Sequence, residues 1–377
     1  MRVILAPDKF RGSLTARQVT DAMKEGVRQI WPDAQLIALP LADGGEGTAR
    51  VLTEATKGTW HTTVVSDPLG RPVEAGFGLS GDGQTAFIEM AAASGLALLT
   101  HNERRTVQTS TIGTGELIQH AIELGVEHVV LAIGGSATTD AGIGMASALG
   151  WKFLDGQGKL LRAVGQSLPR LARIVAPTDS DLSRITFSVA CDVANPLYGP
   201  EGAAYVYGPQ KGATTRELHW ADMGLRRFAE VVQDQFNVNV ANVAGAGAAG
   251  GLGAGALFFL NATLRPGVDV VLDAVDFERH VHQADLVLTG EGRLDRQTLQ
   301  GKVLKGVADR AGLAEVPVVA LCGTLDLGPG DIDTLGLTAA FSVLKRPQLL
   351  DEAVLTAYAD VCEATFNVCR LLRKVVR

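Results

Sequence analysis

The chain has 377 residues, 46% hydrophobic and 20% charged, and 34 Lys and Arg against 41 Asp and Glu give a net charge of −7. That balance supplies apolar side chains for real cores and excludes a disordered chain. No run of five Lys or Arg offers a nucleic-acid footprint, and no membrane span is expected.

Residues 2–7 form a short apolar run that reads as a buried strand. It meets Asp8 and Lys9 at once and is too short for a signal peptide, so a cytoplasmic location is expected. Thr15 and Gln18 fit a capping box. Val19, Met23, Val27 and Ile30 follow at helical spacing until Trp31-Pro32 stops the helix. Residues 35–40 read as the next strand, closed by ADGGEGT at 42–48. Residues 62–66, 73–79 and 85–90 read as antiparallel strands joined by turns at 67–70 and 81–83. A helix near 114–124, a strand at 128–133 and glycine-rich loops come next. Farther on, a strand at 284–289 precedes Gly290-Glu291-Gly292, and a helix starts near Thr298. Strands follow at 316–322 and 337–343. A long helix over 351–376 carries Val354, Ala357, Tyr358, Val361 and Cys362 on one stripe.

Short buried-type strands alternating with helices at both ends of the chain predict a parallel, doubly wound sheet. The expected fold is α/β with two domains. Residues 1–60 and 280–377 form a flavodoxin/Rossmann-like domain, split by a second α/β domain at 61–279. The four cysteines make no CxxC pair, which suggests neither a disulfide framework nor a zinc site.

Glycine is the unusual count, 44 of 377 or about 12%, against ~7% on average. It gathers beside Asp, Glu, Ser and Thr, where bare backbone lets N–H groups approach a ligand. The clusters are 6–13, 42–48, GGSATTDAGIG from Gly134, CDVANP from Cys191, 245–255 and 289–295. Several fall just past predicted strands, where open α/β sheets bind ligands at the switch point. In a flavodoxin-like strand order, Asp8, Lys9 and Glu291 would face one another there.

Gly134–Gly144 offers N–H groups and hydroxyls ahead of a helix, which suits an anion. A P-loop is absent, because Val303 follows Gly301-Lys302 and Arg296 stands where the first glycine belongs. Gly245, Gly247 and Gly250 match GxGxxG, with Asp269 or Asp273 as a ribose acid, so an NAD-dependent dehydrogenase is a rival. The match is weak because no clean strand precedes it. There is no GxSxG elbow and no HExxH. What remains is Asp, Glu, Lys, Arg, Ser, Thr and backbone N–H, an inventory suited to phosphoryl transfer.

On these segments the chain resembles the type 1 glycerate kinase family. The stretches are APDKFRGSLTA from Ala6, PLADGGEGT from Pro40, GGSATTDAGIGMASALG from Gly134, CDVANPLYGPEGA from Cys191, PQKGA from Pro209, GAGAAGGLGAGALFFLNATLRPGVD from Gly245 and TGEGRLDRQTLQGK from Thr289. They span nearly the whole chain. Leu304 stands about where the family brings a proline, a change on the helix side. The resemblance implies transfer of phosphate from ATP to D-glycerate with Mg²⁺. The favoured product is 2-phosphoglycerate, with 3-phosphoglycerate the alternative. The expected partner is a small molecule, with no nucleic acid or membrane, and the chain acts as a monomer or homodimer. A non-catalytic small-acid or nucleotide sensor is the second rival.

The expected site lies in the cleft between the domains. Asp192, Lys9 and Asp43 are the catalytic candidates, with Asp192 as the base. Ser13, Arg71, Asn195 and Glu46 are expected to bind substrate. Gly134, Gly135, Ser136, Thr138, Gly290 and Lys302 are expected at nucleotide phosphates, and Glu291 and Asp295 at the metal.

Overall fold

The computed structural model describes residues 1–178, 181–296, 298–300 and 303–375. The chain opens with β1 (Arg2–Pro7), α1 (Ala16–Ile30) and β2 (Gln35–Ala38). Then come α2 (Thr48–Ala55), β3 (Thr59–Ser66), β4 (Pro72–Leu79), β5 (Thr85–Glu89), α3 (Ala91–Ser94), α4 (Ile112–Glu123), β6 (His128–Ala132) and α5 (Ile143–Ala148). A small antiparallel pair, β7 (Lys152–Leu154) and β8 (Arg173–Val175), leads to β9 (Thr186–Ala190), α6 (Ala203–Tyr207) and α7 (Thr215–Phe236). Next are α8 (Ala248–Phe259), β10 (Thr263–Arg265), α9 (Gly267–Ala274) and α10 (Phe277–Val281). The chain ends with β11 (Leu286–Leu294), α11 (Val303–Leu313), β12 (Val318–Leu325), α12 (Pro329–Leu335), β13 (Ala339–Ser342) and α13 (Leu350–Val375).

Two compact units result: Met1–Asp43 with Val271–Arg377, and Gly44–Val270. The junctions expected from the sequence fall at 60/61 and 279/280. The chain is mixed α/β with parallel-sheet units.

The first unit holds a five-stranded sheet of order β13-β12-β11-β1-β2, parallel throughout. Numbered within the unit, that is the flavodoxin order. The chain winds one way from β1 to β2 and the other way from β11 to β13. The switch point therefore falls between β1 and β11, which pair Ala6 with Thr289 and Pro7 with Gly290. Val3, Leu5, Leu286 and Leu288 from the strands meet Val19 and Met23 of α1 and Val361 of α13 in one core. The Thr15–Gln18 capping box forms as the sequence reading expects, with both reciprocal bonds present.

β11 departs from expectation. It continues through Gly290-Glu291-Gly292 to Leu294. The two glycines are strand residues that let neighbouring backbone in. A Cβ on Gly290 would lie 2.2 Å from the Leu321 carbonyl oxygen, and one on Gly292 would lie 3.2 Å from Phe10 Cα.

The second unit has a six-stranded sheet of order β10-β9-β6-β5-β4-β3. β3, β4 and β5 form the expected antiparallel run, and β5 then joins β6, β9 and β10 as a parallel half. Phe77, Ile88, Leu117, Leu131 and Phe187 pack one core. Phe153, Leu225, Phe228 and Phe259 anchor a second.

No strand precedes Gly245, because α7 ends at Phe236 and the residues between are loop. The GxGxxG match therefore lacks its strand–turn–helix setting. Ala249, Gly250 and Gly251 are left-handed, which α8 tolerates mainly because two of the three lack a side chain. A Cβ on Gly250 would sit 1.9 Å from the Thr138 oxygen, and one on Gly255 would sit 2.4 Å from the Ala141 oxygen. These glycines are filled by the protein's own backbone rather than open to a dinucleotide.

Gly26 marks the tightest crossing in the first unit. A Cβ there would meet the Cys362 oxygen of α13 at 2.4 Å and Thr365 Cβ at 2.7 Å. Helix propensity alone favours alanine by ~1 kcal/mol. Overpacking against a backbone carbonyl costs about 1–3 kcal/mol and acts the other way. Gly26→Ala is expected to lower the unfolding free energy in urea titrations; a gain in stability would show that α1 and α13 do not approach this closely.

Candidate active site

In the first unit the carboxyl ends of β1 and β11 converge on Asp8. Its N–H donates to the Gly290 oxygen at 2.8 Å, and its Oδ1 accepts the Lys9 N–H at 2.6 Å. Asp8 is only 7% exposed. Burial pushes its carboxyl up to about 7; the Lys9 N–H bond and the Lys9 charge oppose this, while Asp43 and Glu291 add to it. Asp8, Lys9, Asp43 and Glu291 thus share one electrostatic neighbourhood, as the switch-point argument expects for Asp8, Lys9 and Glu291.

The flanking groups are placed by local chemistry. Asp43 pairs with the exposed Arg11 at 3.3 Å. Buried Glu291 accepts the Thr298 hydroxyl at 2.6 Å. Asp295 pairs with Arg293 at 3.1 Å. Ser13 Oγ is buried and has no hydrogen-bond partner among the described residues. A buried hydroxyl without a partner among the described residues calls for one that a ligand could supply.

In the second unit the site gathers at the carboxyl ends of β6 and β9. Gly134 and Gly135 are exposed just past β6, and Gly135 is left-handed at φ 76°. Among the described residues, the N–H groups of Gly134, Gly135 and Ser136 find no acceptor. Three successive donors in a glycine loop suit an anion. Gly134 faces Gly45, with 3.6 Å from its built Cβ to Gly45 Cα. Gly44 packs on Gly267 and lies 3.6 Å from Asp192 Oδ2 by the same measure. The loop carrying exposed Glu46, the 134–136 loop and Asp192 therefore share one rim.

Asp192 is exposed past β9, and its Oδ1 accepts the Gly267 N–H at 2.7 Å. That carboxylate caps the start of α9. Asp140 plays a similar part out of solvent. It takes the N–H groups of Thr111, Gly142 and Gly144 and the Thr111 hydroxyl, while burial pushes its carboxyl up.

Lys211, which the sequence reading assigns no role, lies beneath the 134–138 loop. It is 2% exposed and donates to Ser136 Oγ at 2.7 Å and to the Thr138 oxygen at 2.6 Å. Burial pushes its ammonium down to about 7, with Asp140 acting the other way. No sequence signal marks a buried lysine. Asp8, by contrast, was legible from its place after a strand.

Other expected residues are engaged locally. Arg71 is held at the β3–β4 turn by Asp67 at 2.6 Å and Glu103 at 2.5 Å, with Asp67 also accepting the Leu69 and Arg71 N–H groups. These ion pairs hold the Arg71 guanidinium above its usual range. Asn195 donates to the Glu201 oxygen and accepts the Tyr207 hydroxyl, so both ends of its amide pin its own loop. Ser136 Oγ faces Lys211, and Gly290 lies inside β11. Lys302 lies outside the described residues. Among the described residues, no three or more His, Cys, Asp or Glu side chains are grouped to hold a metal ion. No helix among them is long and apolar enough to cross a membrane.

Known proteins resemble the chain over almost its whole length. Residues 3–373 match the family model described as the glycerate kinase family. The chain is 44% identical over 373 residues to the glycerate 2-kinase of Escherichia coli K12, covering 99% of this chain and 98% of that one. It is 46% identical to the glycerate kinase of Halalkalibacterium halodurans, covering 97% of each. A crystal structure from Salmonella typhimurium LT2, assigned as glycerate kinase 2, superposes with a TM-score of 0.91 at 45% identity, over 100% of this chain and 99% of that one.

Asp8 gives a pH signature of folding. Its carboxyl sits near 7 in the folded chain and near ~4 in the unfolded one, so between those values the folded state holds the extra proton. Stability therefore falls as pH rises through that window, by at most about 1.36 kcal/mol per pH unit from this group. Asp8→Asn is expected to flatten the slope between pH ~4 and ~7 in metal-free denaturant titrations; an unchanged slope would place Asp8 in contact with solvent.

Proposed function

The chain belongs to the glycerate kinase family and is a kinase with a small-molecule substrate, and from that premise we propose that it transfers the γ-phosphoryl group of ATP to the 2-hydroxyl of D-glycerate, with Mg²⁺. The observation that carries the reading is the buried Asp8 beside Lys9, Asp43 and Glu291 at the switch point of a parallel sheet. Position 2 is favoured because the Escherichia coli relative is a glycerate 2-kinase. A cytoplasmic enzyme, monomeric or homodimeric, fits the same reading.

In the proposed step the substrate hydroxyl oxygen forms a bond to phosphorus as the bond from phosphorus to the ADP oxygen breaks. The hydroxyl proton passes to Asp8, whose affinity for a proton lies near neutral pH. This moves the base role from Asp192, which caps α9. Lys9 offsets charge on the phosphoryl group or the glycerate carboxylate, and Ser13 Oγ supplies a further contact. The N–H groups of the exposed Gly134 and Gly135, with that of Ser136 beside them, receive nucleotide phosphates.

Magnesium binds through one or two carboxylates and takes its other ligands from phosphates and water, so it needs no closed protein cage. The hard oxygens of Glu291 and Asp295 fit that demand. When bound it would neutralise phosphate charge.

ATP consumption is expected only with both D-glycerate and Mg²⁺ present, and the ³¹P spectrum of the product is expected to be that of 2-phosphoglycerate. A 3-phosphoglycerate signal would overturn the position, undiminished turnover in excess EDTA the metal, and turnover with NAD alone the whole reading.

Two substitutions separate the roles. Lys9→Ala should lower kcat/KM by roughly 10- to 150-fold with little change in Tm, the worth of one charge-assisted contact. Asp8→Asn should lower kcat by ~10²–10⁴ while nucleotide affinity holds. If Asp192→Asn shows that loss and Asp8→Asn does not, the base is Asp192.

A further inference from the structure

The 134–138 loop is an unusual anion loop, because its own hydroxyl faces inward. Ser136 Oγ and the Thr138 carbonyl both point to Lys211, and Gly134 and Gly135 alone are exposed. Lys211 has no carboxylate within ion-pair distance among the described residues. A buried ammonium without such a partner is costly, and an apolar side chain of the same length would fill the slot more cheaply. Its two short hydrogen bonds span residues 136 to 138, the segment that turns the glycine N–H groups outward.

The far side of the segment is held as tightly. Thr138 and Thr139 pack against Gly250, whose built Cβ would sit 1.9 Å from the Thr138 oxygen and 2.7 Å from Thr139 Cα. Ala141 and Ala249, one on each strand of this contact, both hold left-handed conformations at φ 53° and 51°. For alanine that conformation is strained, and strain persists only where the surroundings over-determine it. The Ala141 N–H bond to the Gly250 oxygen, at 3.1 Å, locks the pair. The loop is thus clamped by a lysine on one side and by interlocked left-handed backbone on the other.

We propose that Lys211 is a positioning residue for the nucleotide: by tying Ser136 Oγ to the Thr138 oxygen it fixes the Gly134–Ser136 N–H groups in the geometry that receives a phosphate. The lysine touches no substrate, and the inference rests on the reading that this loop binds nucleotide phosphates. It carries a distinctive consequence. Removing the ammonium while keeping the volume should spare folding and damage nucleotide binding, the reverse of an ordinary core substitution.

The test uses ADP binding by calorimetry on the full chain, with KM for D-glycerate and Tm measured alongside. Lys211→Met is expected to leave Tm unchanged or raised, to weaken ADP binding by about 10-fold or more, and to leave the KM for D-glycerate near wild type. Ser136→Ala keeps the lysine but removes one of its two acceptors, and should weaken ADP binding in the same direction. In the Lys211→Met background, Ser136→Ala should add little, because the hydroxyl acts through the lysine. Wild-type ADP affinity in folded Lys211→Met would overturn the proposal, as would full additivity of the two substitutions. If Lys211→Met does not fold, an unaltered ADP affinity in Ser136→Ala overturns it instead. Failure of the unaltered chain to bind ADP would sink the nucleotide reading of the loop itself, an outcome separate from the role of Lys211.

Discussion

Backbone pressed on backbone is the constraint from which both units are built. Gly290 admits β12 against β11, Gly26 admits α13 against α1, and Gly250 and Gly255 admit the 138–141 loop against α8. At each point a methyl group would fall within 2.5 Å of a carbonyl oxygen. A chain with 44 glycines loses conformational entropy at every one of them on folding. The return is that N–H and C=O groups at strand ends can be set where no side chain would let them reach. The exposed donors of Gly134 and Gly135 and the Asp8 N–H bond to Gly290 are both products of that approach.

This explains which parts of the fold were legible in the sequence. The first helix was, because its signals are local: Thr15 caps it, Gln18 returns the bond, and the apolar spacing runs unbroken to Ile30. The parallel sheet was also legible, since short buried strands separated by helices leave few alternatives, while its order stood open between flavodoxin-like and Rossmann-like until the strand pairing fixed it. The course of β11 was not. Gly290-Glu291-Gly292 reads as a turn when taken alone, and becomes strand only because β12 and the backbone of Phe10 lie alongside it. The 245–255 run carried the same ambiguity. Its spacing fits a dinucleotide loop, but the space above its glycines is taken by Thr138 and Ala141.

The candidate site was legible by type more than by role. A carboxylate after a strand is a good marker, and Asp8, Asp43 and Glu291 were each within reach of that rule. It does not say how many donors each group will find. Asp192 meets a helix start, Arg71 meets Asp67 and Glu103, and Asn195 meets Tyr207. Each of those partners comes from another strand, turn or helix, or from a loop folding back on itself. Burial is the property least visible in one dimension, and it separates Lys211 in PQKGA from any surface lysine.

Two buried groups then bear comparison, each within its own unit. Burial brings both to about 7: Asp8 past the end of β1 in the first unit, and Lys211 beneath the 134–138 loop in the second. Their effects on folding run opposite ways. Asp8 withdraws stability as pH rises from ~4 to 7, because the folded chain must give up a proton the unfolded chain has already lost. Lys211 returns stability as pH rises from 7 towards ~10.4, because the unfolded chain holds a proton the folded chain has shed. Near neutrality both penalties are close to full, so the folded chain is poorest where these two groups are concerned at the pH where a phosphoryl-transfer enzyme would work. A fold selected for stability alone would place asparagine and methionine there. The groups make sense under the proposed chemistry: a carboxyl to accept a proton, and an ammonium whose hydrogen bonds hold a loop.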